Sequence, residues 1–113
     1  MYFPNQVEII EVGPRDGLQN EPTAISTEQK KQLISQLAKA GFSRMETTSF
    51  VHPKWVPQMA DSEEMAQYCK GLGLTYIALT PNMKALERAI AVKAPQMAVF
   101  IGASSAFNKK NVN

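Results

Sequence analysis

Four strand-length runs rich in apolar or β-branched residues recur along the chain: VEIIEV (7–12), FSRMETT (42–48), LTYIAL (74–79) and QMAVFI (96–101). A helical pattern fills each interval between them. Ser26 and Gln29 form a capping box ahead of Leu33, Ile34, Leu37 and Ala38 at helical spacing, and Gly41 supplies the stop. Asp61 and Glu64 can cap a second helix carrying Met65, Tyr68, Cys69 and Leu72. A third, after Thr80-Pro81-Asn82, repeats Met83, Leu86, Ala89 and Ile90 and ends at Ala94-Pro95. Gly102-Ala103-Ser104-Ser105 then reads as the opening of a loop, followed by a polar tail over 106–113. The order β-α-β-α-β-α-β argues for a parallel sheet joined by helical crossovers. The near-continuous apolar character of the third and fourth runs suits strands covered on both faces.

Two closures fit this order. One is an open doubly wound sheet of four strands. The other is four steps of an eight-step (β/α) barrel, whose usual length of about 250 residues exceeds what is present. The tail carries no closing element, so the chain reads as cut rather than finished, without an internal domain boundary. There is no G-x-G-x-x-G, no G-x-x-x-x-G-K-[ST] and no G-x-S-x-G, which removes the usual support for a dinucleotide sheet, a phosphate loop or a hydrolase elbow.

Composition narrows the partners. With 12 basic and 10 acidic side chains the net charge is +2, scattered along the chain, so neither a nucleic-acid partner nor a membrane surface is expected. No apolar run approaches the roughly 20 residues that span a bilayer, and MYFPNQ lacks the features of a secretory signal. A cytoplasmic location is the default expectation. Cys69 is the only cysteine and His52 the only histidine, so Cys69 is expected to pack in a helix and His52 to sit solvated in a loop.

In either closure, functional groups gather on loops after the carboxyl ends of the strands. The first of these, GPRDGLQNE, is the richest. Arg15 offers a planar cation suited to a carboxylate or to an oxygen that becomes negative during reaction. Asp16 offers the hard oxygens that Mg²⁺ or Mn²⁺ prefers. The flanking glycines permit a turn that brings both to one place, although PRDG is also an ordinary turn sequence. Glu46 is a carboxylate on a strand expected to be buried, which must be paired with Arg15 or Arg44, protonated or metal-associated. Ser49 could bind substrate or cap the turn. Trp55 and Met59 could cover the barrel top or an interface. Lys109 and Lys110 could meet phosphates or form a solvated tail.

VGPRDGLQNE, ETTSFVHPKWVPQMAD, LTPN and the ending NKKNVN together resemble the N-terminal part of the hydroxymethylglutaryl-CoA lyases. These belong to a superfamily of metal-dependent lyases and Claisen-type synthases that includes isopropylmalate synthase. The resemblance implies the first four β/α steps of a (β/α)8 TIM barrel of the pyruvate-carboxyltransferase-like type, about half a barrel, spanning 1–113. It implies retro-Claisen cleavage of 3-hydroxy-3-methylglutaryl-CoA to acetyl-CoA and acetoacetate, with Mg²⁺ or Mn²⁺ as cofactor, an acyl-CoA as partner and a homodimer when intact. By the same resemblance Asp16 is a metal ligand, Arg15 holds the developing enolate, Glu46 is catalytic, and Gln19 and Ser49 lie near substrate. The family's remaining metal ligands, a His-x-His pair and an asparagine, and its glycine-rich cysteine loop have no counterpart here, so the 113 residues are expected to be inactive alone. A Claisen-type synthase and a noncatalytic half-barrel are the rival expectations.

Overall fold

A computed structural model describes residues 1–112, apart from the side chain of Asn111; the last residue of the NKKNVN ending lies outside the described residues. Its backbone follows the expected alternation: α1 (Thr27–Lys39), β1 (Arg44–Ser49), α2 (Ser62–Gly71), β2 (Thr75–Leu79), α3 (Met83–Ala91), β3 (Gln96–Ala98) and α4 (Ser105–Asn111). The strands form one parallel sheet in the order β1-β2-β3. No helix among the described residues is long and apolar enough to cross a membrane.

The helix starts follow local chemistry. Ser26 and Gln29 cap each other's backbone at α1, the reciprocal arrangement their spacing suggests. Asn82 Oδ1 accepts from Ala85 N to start α3. Asp61 occupies the cap position of α2 but makes no side-chain cap, contrary to the sequence reading. Its carboxylate is taken instead by α1, accepting from Thr27 Oγ1 (2.8 Å) and from Lys30 Nζ (2.8 and 3.0 Å). Lys30 is only 4% exposed and also donates to the Gln58 carbonyl. A buried ammonium thus joins α1 to the Pro57–Met59 turn and the start of α2.

The core lies between the sheet and its helices, with Ile34, Met45, Met65, Cys69, Tyr76 and Ala89 fully enclosed. On α3 the buried stripe is Ala85 and Ala89, while Met83 and Ile90 of the expected apolar face are exposed, as is Leu72 after α2. Cys69 packs as expected, and burial pushes its thiol up to about 11.

Three other expectations are corrected. The 7–12 run makes a single parallel bridge, Glu11 to Met45, held by Glu46 N to Glu11 O (2.8 Å), rather than a strand. Val7 and Ile9 are exposed, and without a second neighbour the run has too few partners to zip. The fourth strand stops at Ala98, leaving Val99, Phe100 and Ile101 exposed beyond it. The expected loop and tail instead contain α4, capped by Ser104 Oγ accepting from Phe107 N.

Two tests follow from this packing. Native Cys69 should resist iodoacetamide at pH 8, where little of it is thiolate, and should alkylate fully in denaturant; peptide mass spectrometry reads both states. Asp61→Ala, which strands a buried ammonium, should lower unfolding free energy by about 3 kcal/mol. Lys30→Met should cost less, and adding it to Asp61→Ala should recover part of that loss in chemical denaturation.

Candidate active site

Val12 leads into a wide π-type turn, Gly13–Gly17, with Pro14 buried at its start. Asp16 N donates to Val12 O (2.8 Å), and Glu11 Oε1 accepts from Gly13 N (2.6 Å). A Cβ on residue 13 would lie 2.8 Å from that carboxylate oxygen, so a side chain there would push the Glu11 carboxylate aside. The turn throws Arg15 back over the sheet, where its Nε donates to Glu46 Oε1. The side chains of Arg15 and Glu46 are 17% and 12% exposed, which makes this pair far less screened than a surface bridge. Of the two partners open to Glu46, it takes Arg15; Arg44 binds Glu8 (2.6 Å) and Gln96 instead.

Arg15 Nη1 reaches Asp16 Oδ1 at 3.2 Å, while the Asp16 side chain is 57% exposed. Nη2 of Arg15 has no protein partner among the described residues. Convergence of the two groups is thus partial: the cation is fixed and mostly covered, and the carboxylate stands at the rim. No three of His, Cys, Asp and Glu come together as an ion site among the described residues. The described residues do not fit a divalent ion by themselves, Asp16 being a single candidate ligand.

Glu46 lies where the β1–β2 register steps from Glu46↔Ile77 to Thr48↔Ala78, making Thr47 an extra residue in β1. Such bulges re-aim side chains at strand ends. Ser49, at that end, is fully buried, and its hydroxyl accepts from Val51 N at 3.2 Å, closing the turn. It also lines a cleft of about 470 Å³ with Gln19, Val51, Trp55, Phe100 and Lys110. Gln19, on the segment leading out of the Arg15 turn, has a buried Oε1 with no hydrogen-bond partner. The cleft opens where β1, β2 and β3 terminate, as parallel α/β architecture predicts.

His52 is exposed and lines a separate cleft of about 660 Å³ with Trp55, Asn82 and Arg88. Trp55 borders both clefts, whereas Met59 is buried. Lys109 lines neither cleft. From sequence Lys110 stands between a phosphate contact and a solvated tail, because no apolar periodicity announces α4; the Ser104 cap is the available signal.

A parallel α/β layer with an Arg–Glu pair and a cleft at the strand ends defines the class of scaffold. The chain belongs to the HMGL-like family, whose model matches residues 6–113. It is 52% identical over 112 residues to the mitochondrial hydroxymethylglutaryl-CoA lyase of Pongo abelii, covering 98% of this chain and 34% of that protein. The Bacillus subtilis HMG-CoA lyase structure superposes with a TM-score of 0.86 at 48% identity, over 100% of this chain and 38% of that one. An HMG-CoA lyase from Acinetobacter baumannii, solved with coenzyme A and 3-methylmalate, matches with a TM-score of 0.79 at 42% identity, over 90% and 34%. The chain thus spans about a third of the length of the curated relatives it matches, and its sheet corresponds to part of their TIM barrel.

Proposed function

We propose that this chain is the N-terminal part of a hydroxymethylglutaryl-CoA lyase, which cleaves 3-hydroxy-3-methylglutaryl-CoA to acetyl-CoA and acetoacetate. The observation that carries this reading is the Arg15–Glu46 pair. Glu46 fixes the guanidinium through Nε and leaves Nη2 free to donate to an oxygen that becomes negative.

The reaction breaks the bond between the hydroxyl-bearing carbon and the methylene beside the thioester. As the hydroxyl loses its proton, its carbon–oxygen bond becomes the ketone of acetoacetate. The electron pair of the broken bond moves into the thioester as an enolate, which takes up a proton to give acetyl-CoA. Arg15 donates to the enolate oxygen, and its cost of orientation is met before substrate arrives, because Glu46 already holds it. Glu46 Oε2 has no protein partner among the described residues and remains available as an acceptor.

Asp16 supplies one ligand to a divalent ion, Mg²⁺ or Mn²⁺, whose other ligands come from elsewhere in the full-length protein; such an ion would acidify the substrate hydroxyl. Gln19 and Ser49 line the substrate cleft beside it. The chain alone, with one candidate ion ligand and exposed apolar residues at 7, 9, 99 and 101, is proposed to be inactive and prone to association.

In the full-length protein Arg15→Gln should lower turnover by about 10²- to 10³-fold, the usual loss of an oxyanion donor. Asp16→Ala should also weaken Mn²⁺ binding, measured by calorimetry, whereas Arg15→Gln should not. Acetoacetate release is the assay. Near-normal turnover in both variants would remove the assigned roles, and condensation rather than cleavage by the wild type would favour a synthase.

A further inference from the structure

The loop after β3 and the helix that follows are locked together by a device the proposed chemistry does not use. Asn108 closes a two-point clamp on Gly102, its Oδ1 accepting from Gly102 N (2.7 Å) and its Nδ2 donating to Gly102 O (2.8 Å). Phe107 meets Phe100 edge-on at 6.0 Å between ring centroids. A Cβ on residue 102 would sit 2.5 Å from Phe107 Cδ1, so only glycine allows the clamp to close. The clamp fixes α4 against the strand ends and brings Lys110, two residues past Asn108, to the wall of the 470 Å³ cleft shared with Gln19 and Ser49.

Two features set Lys110 apart from an ordinary surface lysine. No carboxylate pairs with it among the described residues, while much of the cleft it lines is walled by Val51, Trp55, Val56 and Phe100. In addition, Gln19 Oε1 is buried there without a hydrogen-bond partner, an acceptor left for a donor group of the same ligand. The competing role is complementing the carbonyl end of α4, where Lys109 would serve equally well. Only Lys110 reaches the cleft.

We infer that Lys110 is a substrate-binding residue that takes an anionic oxygen of the acyl-CoA, and that Asn108 is a positioning residue acting through α4. This rests on the lyase reading for the identity of the ligand, but not for the existence of an anion site. The anion is either the free carboxylate of the acyl group or a phosphate of the nucleotide carrier.

The test uses the full-length protein. Lys110→Met should raise KM for 3-hydroxy-3-methylglutaryl-CoA by about tenfold or more, with little change in kcat, the loss expected for a charged hydrogen bond. Lys110→Arg should restore most of it, and Lys109→Met should leave KM alone. Asn108→Ala, with every charge intact, should raise KM in the same direction. Repeating the comparison with the N-acetylcysteamine thioester, which has no phosphates, separates the sources: a persisting KM penalty assigns the carboxylate, a vanished one the phosphate. Calorimetric titration with coenzyme A and with 3-hydroxy-3-methylglutarate gives a readout free of turnover, and Lys110→Met should weaken at least one. Wild-type KM and wild-type binding in Lys110→Met, or an equal effect from Lys109→Met, would overturn the inference. A wild type that binds these ligands without cleaving the thioester would sink the lyase reading and leave the anion site standing; one that binds neither would overturn both.

Discussion

The contact between the Arg15 guanidinium and the Glu46 carboxylate joins two parts of the chain that backbone pairing barely connects. The segment before Arg15 pairs its backbone with the sheet through one bridge at Glu11, so the position of the Gly13–Gly17 turn depends heavily on side chains. Breaking a mostly buried pair by removing one member is costly, because the remaining charge loses its partner away from water. The same geometry that anchors the turn therefore also aims the cation. The structural role of Arg15 and the chemical one proposed for it are compatible: Nε serves the pairing with Glu46, and Nη2 is left without a protein partner among the described residues.

A similar economy runs along β1. Its lower end carries Arg44, which gathers Glu8 from the N-terminal segment and Gln96 from β3. Its middle carries Glu46, and its upper end Ser49, whose hydroxyl closes the following turn. The extra residue at Thr47 shifts the alternation between these groups. Met45 and its neighbours on the opposite face complete the core against the helices. One six-residue strand thus separates an apolar face from a charged one.

The sequence was most readable where the determinants are local. The capping box at Ser26 and Gln29 works by contacts within one turn, and it appears where its spacing placed it. The helical crossovers and parallel order likewise depend on periodicity. Readability failed where the outcome depends on neighbours. VEIIEV has strand character, yet a strand needs partners for its backbone, and this one has a single bridge. Asp61 has a good capping residue's chemistry, but a buried Lys30 from α1 outcompetes the α2 amides for its carboxylate. α4 was missed because its apolar residues show no helical period; a cap and a side-chain clamp define it instead.

The candidate site divides along the same line. Arg15, Asp16 and Glu46 could be singled out because charged groups at a glycine-flanked turn and on a buried strand are conspicuous in one dimension. That Arg15 pairs with Glu46, 31 positions away, is a tertiary fact. So is the arrival of Gln19, Ser49, Phe100 and Lys110 at one cleft, from segments separated by tens of residues. Parallel topology explains this gathering: every strand leaves the sheet at the same end, so each following segment is delivered to a common rim. Local chemistry then decides what each segment presents there, a guanidinium from a π-type turn, a hydroxyl from a strand end, an ammonium from a clamped helix. The rim is consequently assembled by topology and tuned by short-range contacts, which is why substitutions at Gly13 or Gly102, neither bearing a side chain, would disturb it through Glu11 and Asn108.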